Sequence, residues 1–349
     1  MDVETYDYEL PTELIAQTPA APRDAARLLV DVGNEMRPQH RSVAELPELL
    51  QPGDLVVIND TRVLPARLHL HRRSGAAVEV LLLEEVGPRR WEALVRPSRR
   101  LREGETLVAG HPDAPVELAV LAAGLGEGRW EVAFAGDEPV QALLERWGRV
   151  PLPPYITTEL ADPERYQTVF ARHPGSVAAP TAGLHLTPAI FDRLAERGIE
   201  VATVELAVGL GTFRPITTAR VEDHVMHEER YHIPPATLAA LERAEAVVAV
   251  GTTVVRTLET WAATGRAAGR SDLFIRRPYP FAVVDRLLTN FHVPRSTLLV
   301  MIDALVGDRW RVLYDTAVQE RYRFLSFGDA MLLTRDDGRR GALVTGQGS

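Results

Sequence analysis

Apolar and polar positions along this chain follow two different rhythms, and the rhythm changes twice. In the first sixty residues, short helical and extended signals alternate. Pro11-Thr12-Glu13 opens an apolar turn (Leu14, Ile15) that Pro19 and Pro22 break. Residues 28–32 read as a strand, and residues 42–50 as a short helix stopped by Pro52-Gly53. Residues 54–58 read as a buried strand running straight into Asn59-Asp60-Thr61-Arg62. From about Val63 to Val150 strands dominate, at 77–84, 91–95, 106–108, 116–121 and 130–134, with Gly, Pro and Asp between them. Short strands at such spacing predict a small barrel or sandwich, and no helical pattern interrupts them before 140–147. From Pro151 on, helical patterns at 191–197, 235–244, 254–263, 296–305 and 309–321 alternate with extended ones at 200–206, 246–250 and 281–288. That alternation predicts an α/β layer. The expected fold is therefore a large α/β domain interrupted by an inserted all-β barrel domain. The α/β parts lie at 1–63 and 151–334, the barrel at 64–150, and a frayed Gly- and charge-rich tail at 335–349.

Composition narrows the function classes. The 349 residues suit about two domains. A content of 46% hydrophobic and 25% charged residues is that of a soluble globular enzyme. Thirty-nine basic residues against 48 acidic ones give a formal charge of −9, which excludes a chain-wide basic coat but not a local basic patch. The chain has no cysteine, so disulfides, thiolate catalysis and cysteine zinc sites are excluded. It also has no lysine, so Schiff-base chemistry and a P-loop lysine are excluded. Any phosphate-binding cation must be arginine, which forks onto oxygens in pairs. No apolar run approaches the roughly 20 residues of a membrane span, and the acidic start, Met1-Asp2-Val3-Glu4, does not read as a signal peptide. The expectation is a cytoplasmic monomer with no membrane partner.

Several segments carry candidate chemistry. The stretch Val204–Thr212, with Gly209-Leu210-Gly211, resembles a strand and glycine loop for S-adenosylmethionine, but Arg214 stands where a third glycine belongs. Leu152-Pro153-Pro154-Tyr155 resembles an amino-methyltransferase motif without its Asn or Asp. Asn59-Asp60-Thr61-Arg62 lies past a strand end, where α/β folds hold ligands. Arg96-Pro97-Ser98-Arg99-Arg100-Leu101-Arg102 puts four guanidinium groups into seven residues, a phosphate-binding strip or a solvated loop. In Ala178–Pro188, small residues surround His185 just before a helix, a setting in which imidazole exchanges protons near neutral pH. His224, His227 and His232 lack a recognisable metal-ligand pattern, and His227-Glu228 reads instead as an acid/base pair. Aromatics and cations mix in residues 321–330, which suits either base stacking or core packing.

Taken in order, these blocks are specific. Tyr6-Asp7-Tyr8-Glu9-Leu10-Pro11, Arg23-Asp24, Asn59–Arg67, Pro151–Ile156 and Glu164–Val169 come first. Ala178–Thr187, Gly211–Pro215, Gly251-Thr252-Thr253, Thr289–Pro294 and Ser326–Ala330 follow. Over residues 1 to about 334 the chain resembles the S-adenosylmethionine:tRNA ribosyltransferase-isomerase family of queuosine biosynthesis. The resemblance implies an α/β domain with an inserted β-barrel. It also implies a reaction in which the ribosyl part of S-adenosylmethionine is transferred and isomerised onto 7-aminomethyl-7-deazaguanine at the tRNA wobble position. Epoxyqueuosine-tRNA forms, and adenine and methionine leave. The implied partners are tRNA and S-adenosylmethionine, the latter consumed as ribosyl donor. No permanently bound cofactor and no metal is expected.

The matching blocks supply the site expectations. His185, Asp60, His227 and Glu228 are the catalytic candidates. Arg62, Thr181, Gly183, Gly211, Thr212, Thr252, Thr253, Asn290 and His292 are the substrate-binding candidates. Arg96, Arg99, Arg100 and Arg102 are the tRNA-phosphate candidates. The chain departs from the family pattern at Ala26 (usually Ser), Leu186 (Phe), Glu205 (Thr) and Ala207 (His). Glu205 and Ala207 share a face if that stretch is a strand, so the carboxylate can stand in for the missing imidazole. The alternatives are a divergent ribosyltransferase acting on a non-tRNA amine and a non-catalytic RNA-binding protein.

Overall fold

The computed structural model describes residues 1–33, 37–110, 116–209 and 215–336. The chain forms two compact units. One comprises Met1–Arg62, Pro153–His173 and the chain from Ala179, and the other comprises Val63–Leu152 with Pro174–Ala178.

The larger unit is built on a mixed sheet that, among the described residues, has nine strands. From edge to edge they are Ala268–Ser271, Glu229–His232, Glu200–Leu206, Asp54–Asn59, Ala246–Val250, Arg286–Asn290, Ala330–Thr334, Arg27–Val30 and Gln39–Ser42. Four neighbours in the middle, from Glu200–Leu206 to Arg286–Asn290, run parallel. Parallel strands are covered on both faces and so appear as continuous apolar runs rather than alternating ones. Accordingly, every residue of Asp54–Asn59, Ala246–Val250 and Arg286–Asn290 is buried. The helices Pro188–Glu196, Pro235–Leu241, Thr252–Thr264 and Thr297–Val306 flank the sheet in chain order. Ile190 and Leu194 of the first of these pack with Leu46, Leu49, Val56 and Val248 in one core. The strand starts are pinned by a buried ion pair, Arg286 Nη1 to Asp54 Oδ2 at 3.1 Å, which spans the start of the strand between them.

Two expectations shift. Residues 42–50 do not form one helix. Ser42 and Glu45 close a capping box around the 3₁₀ turn Val43–Glu45, and only Leu46–Leu49 is α-helical. Extended structure at 281–288 narrows to the strand Arg286–Asn290. The N–H groups of Ala282, Val283 and Val284 instead donate to the buried carboxylate of Glu259, at 2.9, 3.1 and 2.9 Å. The strand Ala330–Thr334, which joins the parallel set to the edge pair, carries no strong signal in the sequence pattern.

The smaller unit is a closed six-stranded antiparallel barrel, the inserted all-β domain that the strand spacing predicts. Its strands lie in the order Arg67–Arg72, Ala77–Gly87, Arg90–Arg96, Arg129–Phe134, Val116–Gly126, Thr106–Ala109. The last closes onto the first through His71 opposite Val108. Closure removes both sheet edges. Inward and outward positions alternate, so Trp91, Ala93 and Val95 are buried while Arg90 and Arg96 are exposed. The helix Val140–Trp147 ends at Gly148, where a side chain has no room: a Cβ would fall 1.9 Å from the Pro65 carbonyl oxygen and 2.5 Å from that of Leu144. Because backbone atoms bound that space, Gly148→Ala should destabilise the barrel by about 1–3 kcal/mol. Urea unfolding followed by tryptophan fluorescence would measure the loss, and an unchanged midpoint would refute the packing argument.

Candidate functional site

The four parallel strands end at Leu206, Asn59, Val250 and Asn290, and all four ends open on the same edge of the sheet. Open α/β sheets hold ligands in the crevice beyond such ends. The edge is stitched together by Asn59, whose Nδ2 donates to the Leu206 carbonyl (3.1 Å) while its Oδ1 accepts the Leu206 N–H (3.2 Å).

Two adjoining cavities occupy this edge. The first is walled by Ala179–Ala182, Val208, Gly251–Thr253, Thr289–Val293 and Leu298, with Tyr155, Leu325 and Ser326 completing it. It gathers the expected residues Thr181, Thr252, Thr253, Asn290 and His292. Thr181 Oγ1 donates to Asn290 Oδ1 at 2.9 Å, which fixes the carboxamide so that its Nδ2 donates to His185 Nε2 at 3.1 Å. The imidazole also hydrogen-bonds the Arg23 backbone. His185 thus sits buried behind Asn290, and burial pushes its pKa down to about 4, so it is neutral at pH 7. Burial likewise pushes His292 down to about 3, and its Nε2 lies 3.1 Å from Thr289 Oγ1. Tyr155 Oη and Ser326 Oγ are 2.7 Å apart, and burial raises the phenol to about 12. Among the described residues no ionised side chain lines this cavity, and its polar groups there are hydroxyls, amides, a neutral imidazole and a helix start.

The second cavity shares Leu298 with the first, and consecutive residues, Val208 and Gly209, line one each. Its walls are apolar at Met226, Leu273, Phe274, Ile275 and Met301 and charged at Glu228, Glu229 and Arg256. His224 packs edge-on to Phe274, with ring centroids 5.6 Å apart. Arg256 and Glu229 form a buried ion pair. Arg256 also donates to the Ser271 carbonyl (2.9 Å), and Glu229 accepts the Gly209 N–H (2.9 Å). Of the expected pair, His227 is exposed at the rim, and Glu228 faces Arg270 across 2.7 Å on the solvent side.

The remaining expected residues lie elsewhere. Asp60 is buried at the strand-end turn, its Oδ1 3.3 Å from His173 Nδ1. Glu205 also reaches this cluster, 3.2 Å from His232 Nδ1 and 3.8 Å from His173 Nδ1. Arg62 pairs with Glu164 at 2.7 Å. Gly183 is buried against Phe170, whose ring edge would stand 2.7 Å from a Cβ there. Gly211 and Thr212 lie outside the described residues. The aromatics Tyr322, Phe324 and Phe327 are core residues, and the first two pack with Phe291 rather than presenting a stacking surface. Among the described residues, no group of three or more His, Asp or Glu side chains is placed to hold a metal ion.

Separately, the barrel carries an open groove lined by His69, His71, Glu79, Arg96 and Arg99. Arg67, Arg72, Arg73, Arg90, Arg129 and Arg146 all face a glutamate partner. Arg96, Arg99, Arg100 and Arg102 are exposed, and among the described residues no carboxylate pairs with their side chains.

Sequence reading missed Glu229 and Arg256, and it noted Tyr155 only within the Pro-Pro-Tyr segment. Glu229 was detectable in principle: in the strand Glu229–His232 it is in phase with buried Tyr231, whereas Glu228 precedes the strand. Arg256 carries no such signal, because nothing in a helical pattern shows that a guanidinium on the buried face has a carboxylate to meet.

Fold and site define a class. This is an α/β protein with cavities at the ends of parallel strands and an inserted barrel whose Arg96–Arg102 run, among the described residues, faces no carboxylate partner. Comparison with known proteins refines it. The family model described as "Queuosine biosynthesis protein" matches residues 3–333. The chain is 53% identical to the S-adenosylmethionine:tRNA ribosyltransferase-isomerase of Rubrobacter xylanophilus, over 95% of this chain and 98% of that one. It is 47% identical to the protein of the same name from Thermotoga maritima, over 95% and 100%. The crystal structure of S-adenosylmethionine tRNA ribosyltransferase from Thermotoga maritima superposes with a TM-score of 0.53 at 38% identity, covering 94% of this chain and 99% of that one. The chain belongs to the queuosine biosynthesis protein family. Among the described residues no helix is long and apolar enough to cross a membrane.

The two neutral imidazoles tie stability to pH. The folded pKa of His185, about 4, lies below the ordinary 6.5. The fold therefore favours the neutral ring, and that contribution is complete above pH 6.5 and is lost as pH falls through 4. His292 acts with the same sign. Wild-type stability should fall between pH 7 and 4.5 by more than that of His185→Gln, as measured by urea unfolding. Equal losses would show that His185 is not a source.

Proposed function

We propose that this chain transfers and isomerises the ribosyl group of S-adenosylmethionine onto 7-aminomethyl-7-deazaguanine at the wobble position of tRNA. Epoxyqueuosine-tRNA, adenine and methionine are the products. The observation that carries this reading is the end-to-end match to relatives bearing that name, 53% identical across 98% of one of them. A tRNA substrate makes the cytoplasm the place of action.

The chemistry sets demands that the cavities are suited to meet. A sulfonium acidifies the adjacent ribose C5′ proton, so a positioned base can remove it. Departing adenine needs a proton on a ring nitrogen, and the attacking amine must be neutral. S-adenosylmethionine is the donor and is consumed, so none of these steps calls for a metal or redox group. Asn290, Thr181 and Thr252 of the first cavity orient the donor. With both ring nitrogens engaged inside the protein, His185 acts as a positioning residue that holds the Asn290 carboxamide. At the rim of the charged second cavity, exposed His227 is the group placed to move protons, beside Glu228, which pairs with Arg270. Asp60 holds the strand-end turn through His173. The unpaired arginines of the barrel contact tRNA phosphates, the one sequence-independent anionic surface the substrate offers.

The deciding experiment incubates the protein with S-adenosylmethionine and tRNA carrying the aminomethyl-deazaguanine base. Free adenine and the mass of the modified nucleoside are then measured. Ribosyl transfer gives one adenine per modified base. S-adenosylhomocysteine as the product would replace this reading with methyl transfer, and transfer to a free amine but not to tRNA would replace the acceptor. In the same assay His227→Ala should lower turnover by about two orders of magnitude, and near-normal turnover would remove it from proton transfer. The triple variant Arg99→Ala, Arg100→Ala, Arg102→Ala should weaken tRNA binding. It should also reduce the slope of log affinity against log salt by roughly 2–3 if each arginine holds one phosphate. An unchanged slope would exclude this strip from the RNA interface.

A further inference from the structure

Within that reading, one feature of the first cavity points to how the donor is held. The helix Thr252–Thr264 begins at the end of the strand Ala246–Val250, and its N-cap is Gly251 at φ 93°, a conformation that glycine adopts readily. Glycine has no side chain to accept from the first-turn N–H groups, so this helix start is uncapped. The neighbouring helix Thr297–Val306 is different: there Ser296 Oγ accepts from the Leu299 N–H at 3.2 Å. Among the described residues nothing accepts a hydrogen bond from the N–H groups of Thr252 and Thr253 at the uncapped start. Beside them Thr253 Oγ1 is buried and, among the described residues, has no hydrogen-bond partner, although a buried hydroxyl normally finds one. Both residues line the cavity. A helix start also carries partial positive charge, and among the described residues no ionised side chain lines the cavity to compete with it.

We propose that the start of this helix, with the Thr253 hydroxyl, receives the carboxylate of the methionyl arm of S-adenosylmethionine. Two backbone N–H donors and one hydroxyl donor match a carboxylate in charge and in hydrogen-bond sense. A phosphate of the tRNA has the same chemistry but fits less well. The cavity is walled by Phe291, Leu298 and Leu325, and an internal phosphodiester would have to bring a nucleotide in on each side. The methionyl carboxylate ends a flexible arm and enters alone. Holding that end of the donor leaves the sulfonium and ribose to extend toward the carboxylate-bearing second cavity through the shared Leu298 wall.

The test is equilibrium binding by calorimetry, without turnover, using S-adenosylmethionine and its decarboxylated analogue. Wild type should bind the analogue about tenfold more weakly or worse, the loss of a charge-assisted hydrogen-bond set. Thr253→Val, nearly isosteric, should weaken S-adenosylmethionine binding by a similar factor and narrow its preference for the carboxylated ligand. Thr253→Ser should restore both. Because the wild-type hydroxyl has no internal partner, Thr253→Val should melt no lower than wild type, which separates this effect from unfolding. If Thr253→Val keeps the full wild-type preference, the carboxylate is held elsewhere and the proposal falls. A loss confined to tRNA binding would assign the site to a phosphate and overturn it equally. The ribosyl-transfer reading would survive both results, whereas a wild type that binds neither ligand would take that reading and this proposal down together.

Discussion

Four strands running in one direction are the constraint from which the site follows. Parallel strands deliver all their C-terminal ends to one edge, and in this sheet those ends are Leu206, Asn59, Val250 and Asn290. The segments that follow must turn there, so their polar groups collect at that edge. The buried Asp54–Arg286 pair at the opposite ends keeps the strands in register across an intervening neighbour. Breaking it would strand a charge in a sheet covered on both faces.

The two cavities divide the electrostatic work. Among the described residues the first is lined by no ionised side chain: its histidine is neutral, Thr181 is hydrogen-bonded to the Asn290 carboxamide, and a helix start with the unpartnered Thr253 hydroxyl supplies its field. The second sets the Arg256–Glu229 pair among methionines and aromatics. Within that pair the two charges neutralise each other, and desolvation offsets much of the attraction between its members.

The barrel handles charge in the opposite way. Six of its arginines are matched with glutamates across neighbouring strands or turns, which leaves those parts of its surface near neutrality. The run from Arg96 to Arg102 escapes that matching, so a protein of net charge −9 still offers a concentrated cationic strip. A strip of unmatched arginines can give up its solvent shell to phosphate without first breaking an internal pair.

Much of this was legible in the sequence because the relevant signals are local. Strand-length apolar runs show burial on two faces, regular short strands show a barrel, and Gly251-Thr252-Thr253 and Thr289–Pro294 are visible as polar turns at strand ends. The family resemblance rests on the same local blocks. What the sequence could not carry is pairing at long range. That Glu259 captures three backbone N–H groups near Val283, that Glu229 rather than Glu228 turns inward to Arg256, and that Asn290 stands between His185 and the cavity all depend on which elements pack together. Hydrophobic periodicity depends on the nearest few residues. A buried hydrogen bond or ion pair is a relation between distant ones, decided only when the chain has folded and water has been excluded.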